Sequence, residues 1–308
     1  MKTAIVFTGQ GSQHCGMGRE FFEESAAFAD IVEMSSEYAG MDLKKMMLEA
    51  DEKTLSDTAV AQPALAAYAA GVAELLKEKG MKPDFTAGLS LGEYSALYLA
   101  GVFDLETFIR LTAFRGKVMK KCAESVDGKM YAVLGADPEA VEQICLEVST
   151  GGTGTVSISN YNCKGQNVIA GVSKAVDAAA GIIKERDMGK CVPLKVSSAF
   201  HTELMAPASR ELKDYLGDVR FSEMEIPVVF NVTGKPEEAP VTEAAMKELL
   251  VKQVKSPVRM SQTIDFLSEA GVSKIIEVGP GKTIAGFIKR SAPEMKVVSV
   301  NDPAFFGV

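Results

Sequence analysis

Several residue patterns that would place this chain in a familiar class are missing from it. Its five cysteines are an odd set without any CxxC spacing, namely Cys15, Cys122, Cys145, Cys163 and Cys191. This pattern argues against a disulfide framework and against a zinc site, so we expect no bound metal. Free cysteines of this kind, without a secretory leader, favour a location in the cytoplasm.

Positive charge and long apolar segments are also scarce. The chain has 33 Lys and Arg against 41 Asp and Glu, a net charge of -8. A broad basic surface for nucleic acid or an anionic membrane is therefore not expected. The apolar run near the N-terminus is shorter than the core of a signal peptide and has no cleavage site after it. Charged residues interrupt the other apolar stretches, and we predict no membrane span.

The 308 residues, 47% of them hydrophobic, are enough to bury a large core. Strand and helix patterns alternate along most of the chain, which predicts an α/β protein with a mainly parallel sheet. We predict helices over 19–39, over 59–79 with Pro63 in the first turn, and over 104–124 with Asp104 as N-cap. Between the last two, DFTAGLSLGEYSALYLAG predicts a strand, a sharp turn and a helix.

The order of elements changes between residues 125 and 196. Patterns of strand, helix, two strands, helix and strand follow one another there, in the split βαβ order of a ferredoxin-like unit. We therefore predict a small inserted domain over 125–196. Residues 1–124 and 197–308 would form the larger domain, where strands and helices alternate again from His201 to the end.

The segment Gly88-Leu89-Ser90-Leu91-Gly92 fits a nucleophile elbow, a strained turn between a strand and a helix that exposes a serine hydroxyl. Free N–H groups at the helix start would stabilise an oxyanion there, with the Leu91 amide as one donor. The alternative is a serine that merely caps the helix after a glycine turn. The strand pattern before it and the helix pattern after it favour the catalytic interpretation.

A serine nucleophile needs a general base, most often histidine. The chain has two histidines. His14 lies in a glycine-rich loop and is more simply a solvated side chain. His201 follows a predicted strand and precedes a helix, where catalytic groups of α/β folds collect. It is the better candidate, although a histidine there is also able to cap a helix.

Two glycine-rich segments suggest nucleotide binding but lack its spacing. Residues 9–13 read GQGSQ with His14 where a third glycine would stand, and the segment Gly279-Pro280-Gly281-Lys282 lacks the Walker pattern. The first loop is suited instead to bring the Gln10 amide to a reacting centre as a second oxyanion donor. The second is an ordinary turn between a strand and a helix.

Arg115 lies on the predicted helix over 104–124. Arginines on surface helices are mostly solvated. One that points into the Ser90 cleft would bind a substrate carboxylate with two parallel hydrogen bonds.

Eight segments, in chain order, together resemble the malonyl-CoA:acyl carrier protein transacylase family over nearly the whole chain, from Ala4 to about Ile288. They are FTGQGSQ followed by GMG, TAVAQPAL, AGLSLGEYSAL, AFRGKVM, SNYNCKGQNVIAG, VSSAFHTELM, QVKSPVR and IIEVGPGK. The resemblance implies an α/β-hydrolase-like core with a ferredoxin-like insert. Leu89 stands where the family commonly has histidine, and Thr8 where proline is frequent.

The resemblance also implies roles for individual residues. It makes Ser90 the acylated nucleophile, His201 its base, Gln10 and Leu91 the oxyanion donors, and Arg115 the ligand of the malonyl carboxylate. The main-chain carbonyl of Gln253 would orient the histidine, and Asn160 and Asn162 would line the cleft from the small domain. Phe200, in an Ala-Phe-His segment, would limit the size of the acyl group.

The function implied is malonyl transfer from coenzyme A, itself a substrate, to the phosphopantetheine thiol of acyl carrier protein in fatty acid biosynthesis. We expect a monomer without a cofactor. Alternatives are a trans-acting polyketide acyltransferase, an editing acyl hydrolase, a non-catalytic scaffold and an esterase. The esterase fits least, because its histidine would lie near the C-terminus. Three lysines are candidates for binding an acidic carrier: Lys117, Lys164 and Lys195.

Overall fold

The computed structural model describes residues 2–194 and 198–307, and over those residues strands and helices alternate as the pattern predicts. The strands are β1 (Lys2–Phe7), β2 (Phe85–Gly88), β3 (Gly128–Leu134), β4 (Val156–Cys163), β5 (Gln166–Val172), β6 (Lys190–Pro193), β7 (Val228–Val229), β8 (Val258–Arg259), β9 (Val272–Val278) and β10 (Lys296–Val300). The helices are α1 (Arg19–Glu24), α2 (Ala26–Ala39), α3 (Leu43–Glu49), α4 (Glu52–Ser56), α5 (Thr58–Glu78), α6 (Leu91–Leu99), α7 (Leu105–Glu124), α8 (Pro138–Thr150), α9 (Ser173–Glu185), α10 (Ala206–Gly217), α11 (Glu243–Gln253), α12 (Met260–Glu269) and α13 (Thr283–Ser291).

The first sheet has the strand order β10-β9-β1-β2-β7, and all of its pairings are parallel. The central strand β1 is buried from Ala4 to Phe7, as a strand covered by helices on both faces must be. Its last residue, Phe7, lies opposite both Gly88 of β2 and Val278 of β9. The carboxyl ends of three strands therefore meet at one edge, where binding sites of such sheets form.

The second sheet has the order β6-β3-β5-β4-β8. Its first four strands pair antiparallel in the arrangement that the split βαβ order predicts. The fold class is thus confirmed. The fifth strand, β8, comes from a later part of the chain and pairs parallel with β4 through Asn160 and Tyr161. The domain boundaries at 125 and 196 remain predictions, and residue 196 lies outside the described residues.

Helix α5 is the long buried helix of the core. Asp57 caps it by accepting a hydrogen bond from the Ala59 N–H at 2.9 Å. Helix α5 is long and apolar enough to span a membrane, which our expectation from charge spacing missed, but 78% of its apolar window is buried inside the protein, as in a core helix. It packs against α2 and α7. Pro63 lies inside this helix, so its predicted place in the first turn is wrong.

The predicted helix over 104–124 is confirmed as α7, with Asp104 accepting a hydrogen bond from the Thr107 N–H. The single helix predicted over 19–39 is instead two, because the extended Ser25 interrupts it and caps the second. Strand β7 is only two residues long, since the chain turns back after it and Phe230 bridges Lys235.

Candidate active site

Ser90 lies on a sharp turn between β2 and α6, with backbone angles φ 54° and ψ -101°. A residue with a side chain rarely adopts such angles unless the surroundings hold it there. The turn closes tightly, since a Cβ at Gly88 would lie 1.9 Å from the Gly92 carbonyl carbon. The Ser90 side chain makes no capping hydrogen bond to α6, so the alternative of a simple helix cap is rejected.

The Ser90 hydroxyl contacts the imidazole of His201, with 2.8 Å between Oγ and Nε2. His201 is buried, has a φ of 59°, and precedes a short 3-10 helix that Thr202 caps. Its other ring nitrogen, Nδ1, lies 2.8 Å from the main-chain oxygen of Gln253. Because a carbonyl only accepts hydrogen bonds, Nδ1 carries the proton and Nε2 is free to accept from Ser90. The other histidine, His14, is exposed in its loop.

Gln253 is the last residue of α11. Its carbonyl is one of the acceptors that the end of a helix leaves without an intrahelical partner, and it belongs to the negative end of the helix dipole. A helix end therefore occupies the place that a carboxylate takes in a Ser-His-Asp triad. No Asp or Glu is needed there to hold the ring and to stabilise a positive charge on it.

The pKa of His201 is lowered to about 4, mainly by burial and to a smaller extent by the nearby positive charge of Arg115. The hydrogen bond to the Gln253 carbonyl acts in the opposite sense, because it favours the protonated ring. His201 is consequently neutral at physiological pH and able to take a proton from Ser90.

The amides of Gln10 and Leu91 are the predicted donors to an oxyanion beside Ser90. The Ser90 N–H is already used, since it donates to Oδ1 of Asn231 at 2.8 Å. Leu91 is the first residue of α6, so its N–H has no intrahelical carbonyl to bind. The loop that carries Gln10 lies against the turn: a Cβ at Gly9 would stand 2.3 Å from the Leu89 oxygen. Only glycine permits this approach.

Arg115 is fully buried on α7, directly behind the serine. Its Nη2 donates to Ser90 Oγ at 3.1 Å and to Gln253 Oε1 at 3.0 Å, and its Nη1 donates to Gln62 Oε1 at 2.8 Å. The guanidinium also lies 5.0 Å from the ring centre of Tyr94. Arg115 is therefore directed at Ser90 rather than at solvent, while its role as ligand of a substrate carboxylate stays a prediction.

A cavity of about 450 Å³ opens in front of Ser90 and is lined by residues of both sheets and of the loops above them. Gln10 and His201 line it from the larger part, and so does Phe200, the residue before His201. Asn160 and Asn162 of β4 line the opposite wall. The nine predicted site residues are thus brought together; Leu91, Arg115 and Gln253 lie behind the cavity wall.

Sequence reasoning missed three polar residues that surround the site: Gln62, Glu93 and Asn231. All three are at most 1% exposed. Asn231 directly follows the β7 region at the carboxyl edge of the parallel sheet, and Glu93 is the one charged residue of the buried helix α6. Each is a buried polar group in an apolar setting, which is a signal that the sequence carried. Among the candidate carrier contacts, Lys117 and Lys164 are exposed, and Lys195 lies outside the described residues.

The fold and this geometry define a class of α/β proteins in which a serine on a strand-to-helix turn is paired with a histidine. The chain belongs to the malonyl CoA-acyl carrier protein transacylase family, since the model of the acyl transferase domain matches residues 4–301 and full-length relatives carry that name. One of them, from Bacillus subtilis (strain 168), is 39% identical over 302 residues, 98% of this chain and 94% of the relative.

Solved structures agree with this assignment. An acyl carrier protein S-malonyltransferase from Vibrio cholerae superimposes with a TM-score of 0.94 at 37% identity, covering 100% of this chain and 99% of the other. A type II PKS acyl-carrier protein in complex with its malonyl-transacylase gives the same TM-score and identity, covering 99% and 97%.

Proposed function

We propose that the protein moves a malonyl group from coenzyme A to the phosphopantetheine thiol of an acyl carrier protein through an ester on Ser90, in fatty acid biosynthesis. The observation that carries this proposal is the continuous chain of hydrogen bonds from Arg115 through Ser90 and His201 to the Gln253 carbonyl. The names of the full-length relatives support the substrate.

In the first half-reaction, His201 takes the hydroxyl proton while Ser90 Oγ attacks the thioester carbonyl. The oxygen of the tetrahedral intermediate accepts hydrogen bonds from the amides of Gln10 and Leu91. When the C–S bond breaks, His201 returns the proton to the sulfur, and coenzyme A leaves as a thiol. Malonyl remains on Ser90 as an ester.

In the second half-reaction, the thiol of the carrier replaces coenzyme A. His201 takes the thiol proton, the sulfur attacks the ester carbonyl, and the C–O bond to Ser90 breaks as the proton returns to Oγ. Each half-reaction uses the same groups in reverse order. The reaction is therefore a ping-pong transfer that needs no cofactor, and a cytoplasmic monomer is sufficient for it.

Arg115 supplies the selection for a carboxylated acyl group. Its cationic side chain is desolvated, and a buried charge of this kind gains much from an anionic partner. Both Nη2 hydrogens are engaged by Ser90 and Gln253 in the present structure. Nε, by contrast, has no partner in the described residues, and Nη1 has one hydrogen beyond its bond to Gln62. The guanidinium therefore keeps donors for a malonyl carboxylate.

A second candidate is a hydrolase that keeps the Ser-His pair and transfers the acyl group to water. The buried arginine beside Ser90 favours the transferase, because an acyl hydrolase without carboxylate selection has no use for a desolvated cation there. A trans-acting polyketide acyltransferase would use the same chemistry. Assays with carrier proteins of the two pathways decide between them.

Intact mass of the protein after incubation with malonyl-CoA tests the proposal. We expect one malonyl group on the wild type and none on Ser90→Ala, with the added mass removed by a carrier protein but only slowly by water. Loss of the added mass to water at the same rate with and without carrier would establish a hydrolase instead.

A further inference from the structure

Asn231 occupies the position at which β7 would continue beside β2. The two strands pair through Thr86 with Val228 and Ala87 with Val229. Two residues further along the same register, Asn231 stands opposite Leu89, the residue before the nucleophile. The backbone ladder does not extend that far, because β7 ends at Val229.

The side-chain amide of Asn231 makes the hydrogen bonds that a backbone neighbour would make there. In a parallel ladder, a residue donates its N–H to the residue before its partner and accepts at its C=O from the residue after it. Asn231 Nδ2 donates to the Gly88 oxygen at 2.7 Å, and Oδ1 accepts from the Ser90 N–H at 2.8 Å. The amide thus acts as a substitute peptide group opposite Leu89.

The turn is held from the other side by β1. The Leu89 N–H donates to the Phe7 oxygen at 2.9 Å. Glycines at 88 and 92 permit the tight turn but exert no force that keeps Ser90 at φ 54° and ψ -101°. Hydrogen bonds to the peptide groups of the turn supply this force, and Asn231 makes two of them, to the peptide groups on the two sides of Leu89.

Asn231 is itself held at each of its polar groups. Its backbone N–H donates to the Glu93 carboxylate, and its backbone oxygen accepts from the Arg259 N–H at 2.9 Å. Gln253 Nε2 donates to the Ser90 oxygen at 2.9 Å and lies 3.4 Å from Asn231 Oδ1. Asn231 is 1% exposed, so no water competes for these contacts.

We propose that Asn231 is a positioning residue for the nucleophile: its side-chain amide extends the parallel sheet across the elbow and fixes the Ser90 hydroxyl in line with His201, while Glu93 holds Asn231 in place. This inference rests on the proposed acyl transfer for its assay, though not for its geometry. Neither residue is among those that line the cavity in front of Ser90.

The test is the rate constant of Ser90 acylation by malonyl-CoA in Asn231→Ala, with Thr86→Val as the matched control. Thr86 is equally buried, lies on β2 just before the turn, and donates Oγ1 to the Ile5 oxygen at 3.0 Å. Its replacement therefore removes a buried side-chain hydrogen bond near Ser90 without touching the two that Asn231 makes. We expect Asn231→Ala to lower the saturating acylation rate about 10²-fold, the usual cost of a displacement of about 1 Å. The KM for malonyl-CoA should change little, because Arg115 does not touch Asn231.

Melting temperatures separate positioning from general stability. Thr86→Val should melt earlier at a nearly wild-type rate, and Asn231→Ala should lose rate out of proportion to its change in melting temperature. Equal rates in Asn231→Ala and wild type would overturn the proposal. So would a rate that merely follows the melting temperature in both variants.

The pair Glu93→Gln and Glu93→Ala tests the support of Asn231 without changing Asn231. Glu93 Oε1 has no partner in the described chain, so a Gln side chain is able to keep the one contact, to the Asn231 N–H. We expect Gln to retain most of the acylation rate and Ala to lose it. Equal losses of the acylation rate in both variants would show that the acidic group of Glu93 matters rather than its hydrogen bond to the Asn231 N–H. That result would overturn the role assigned to Glu93.

Labelling by a fluorophosphonate completes the design, because it reports the reactivity of Ser90 without any acyl substrate. If the wild type is labelled but takes up no malonyl group, the proposed function fails and Asn231 is still testable with the label. If the wild type takes up malonyl and Asn231→Ala is labelled equally fast, the positioning role fails alone.

Discussion

The two walls of the cleft differ in how firmly their polar groups are held. On the side of the parallel sheet, Ser90, Arg115 and Gln253 are joined by hydrogen bonds of 2.8 to 3.1 Å to their partners. On the side of the antiparallel sheet, Asn162 has a buried Oδ1 without a partner in the described residues, and Asn160 Oδ1 accepts only from its neighbour Ser159. The predicted chemistry thus lies on the wall whose side chains are linked to one another, which we call the rigid wall. The two asparagines of the facing wall have few such links, and both walls keep polar atoms without partners in the described residues, Arg115 Nε on the first and Asn162 Oδ1 on the second.

The largest effect is expected when Arg115 is removed from the rigid wall. We expect Arg115→Ala to lower kcat/KM for malonyl-CoA by about 10²- to 10³-fold, because a buried charge pair with the substrate is lost. Transfer of acetyl from acetyl-CoA, which has no carboxylate, should fall much less. Equal losses for both thioesters, measured side by side, would contradict the assigned role.

Phe200 lies where the two walls meet, and it is 9% exposed. Its ring should exclude a methyl group on the α-carbon, since one extra carbon in a close-packed apolar pocket costs about 1 to 3 kcal/mol. We expect Phe200→Ser to shift the ratio of kcat/KM for methylmalonyl-CoA and malonyl-CoA by roughly 10- to 200-fold. An unchanged ratio with a lower melting temperature would make Phe200 a packing residue only.

The pH dependence of the acylation rate tests the protonation of the base, His201, independently of the other residues of the two walls. Because the pKa of His201 is lowered to about 4, the neutral base persists far below the usual range of histidine. We expect the single-turnover rate of Ser90 acylation to be flat from about pH 8 to 5 and to fall about tenfold per unit below pH 4. In Arg115→Ala the limb should move to higher pH, since one cause of the lowered pKa is gone. A wild-type limb near pH 6.5 would refute the lowered pKa.

The same shift affects stability. The folded state binds the His201 proton only below about pH 4, whereas the unfolded chain binds it near the ordinary value of 6.5. Between these values the unfolded state holds more protons, so the free energy of unfolding decreases as pH falls from 6.5 to 4. Denaturant titrations of the wild type and His201→Gln should show this dependence weakened in the variant.

The smallest expected effects concern docking of the carrier at the mouth of the cleft. Lys117 of α7 and Lys164 of the β4–β5 turn are exposed, one in the part with the parallel sheet and one in the part with the antiparallel sheet. Reversing either charge should raise the KM for an acidic carrier protein by about three- to tenfold, because charges at the rim of an interface mainly change association. The kinetics with coenzyme A should remain as they were. No change in the KM for carrier would reject these two positions.

Local features were predictable from the sequence because they depend on neighbouring residues. The elbow around Ser90 needs only a strand, small residues and a helix within one short segment, and the Asp104 cap lies three residues from the N–H that it binds. Asn231 was not predictable in this way. It bonds to Ser90 across 141 residues of chain, and only the pairing of β2 with β7 brings the two together. Long-range pairing leaves no periodic trace in the sequence.

Arg115 and Gln253 show an intermediate case. The sequence alone did not distinguish Arg115 from an ordinary surface arginine such as Arg110, which lies on the same helix and pairs with Glu106 in solvent. The family resemblance supplied the distinction. Likewise, the use of the Gln253 carbonyl depends on α11 ending at that residue, and the end of a helix is poorly fixed by local sequence.

The short strand β8 has a consequence for recombining such proteins. It pairs with β4 through Asn160 and Tyr161, it begins five residues after Gln253, and its Arg259 N–H donates to the Asn231 oxygen. The antiparallel sheet is thus hydrogen-bonded to the segment that helps to position both the base His201 and the nucleophile Ser90. A chimera that exchanges residues 125–196 alone would pair a foreign β4 with the original β8. A graft intended to preserve turnover should carry residues 253–259 along with the insert.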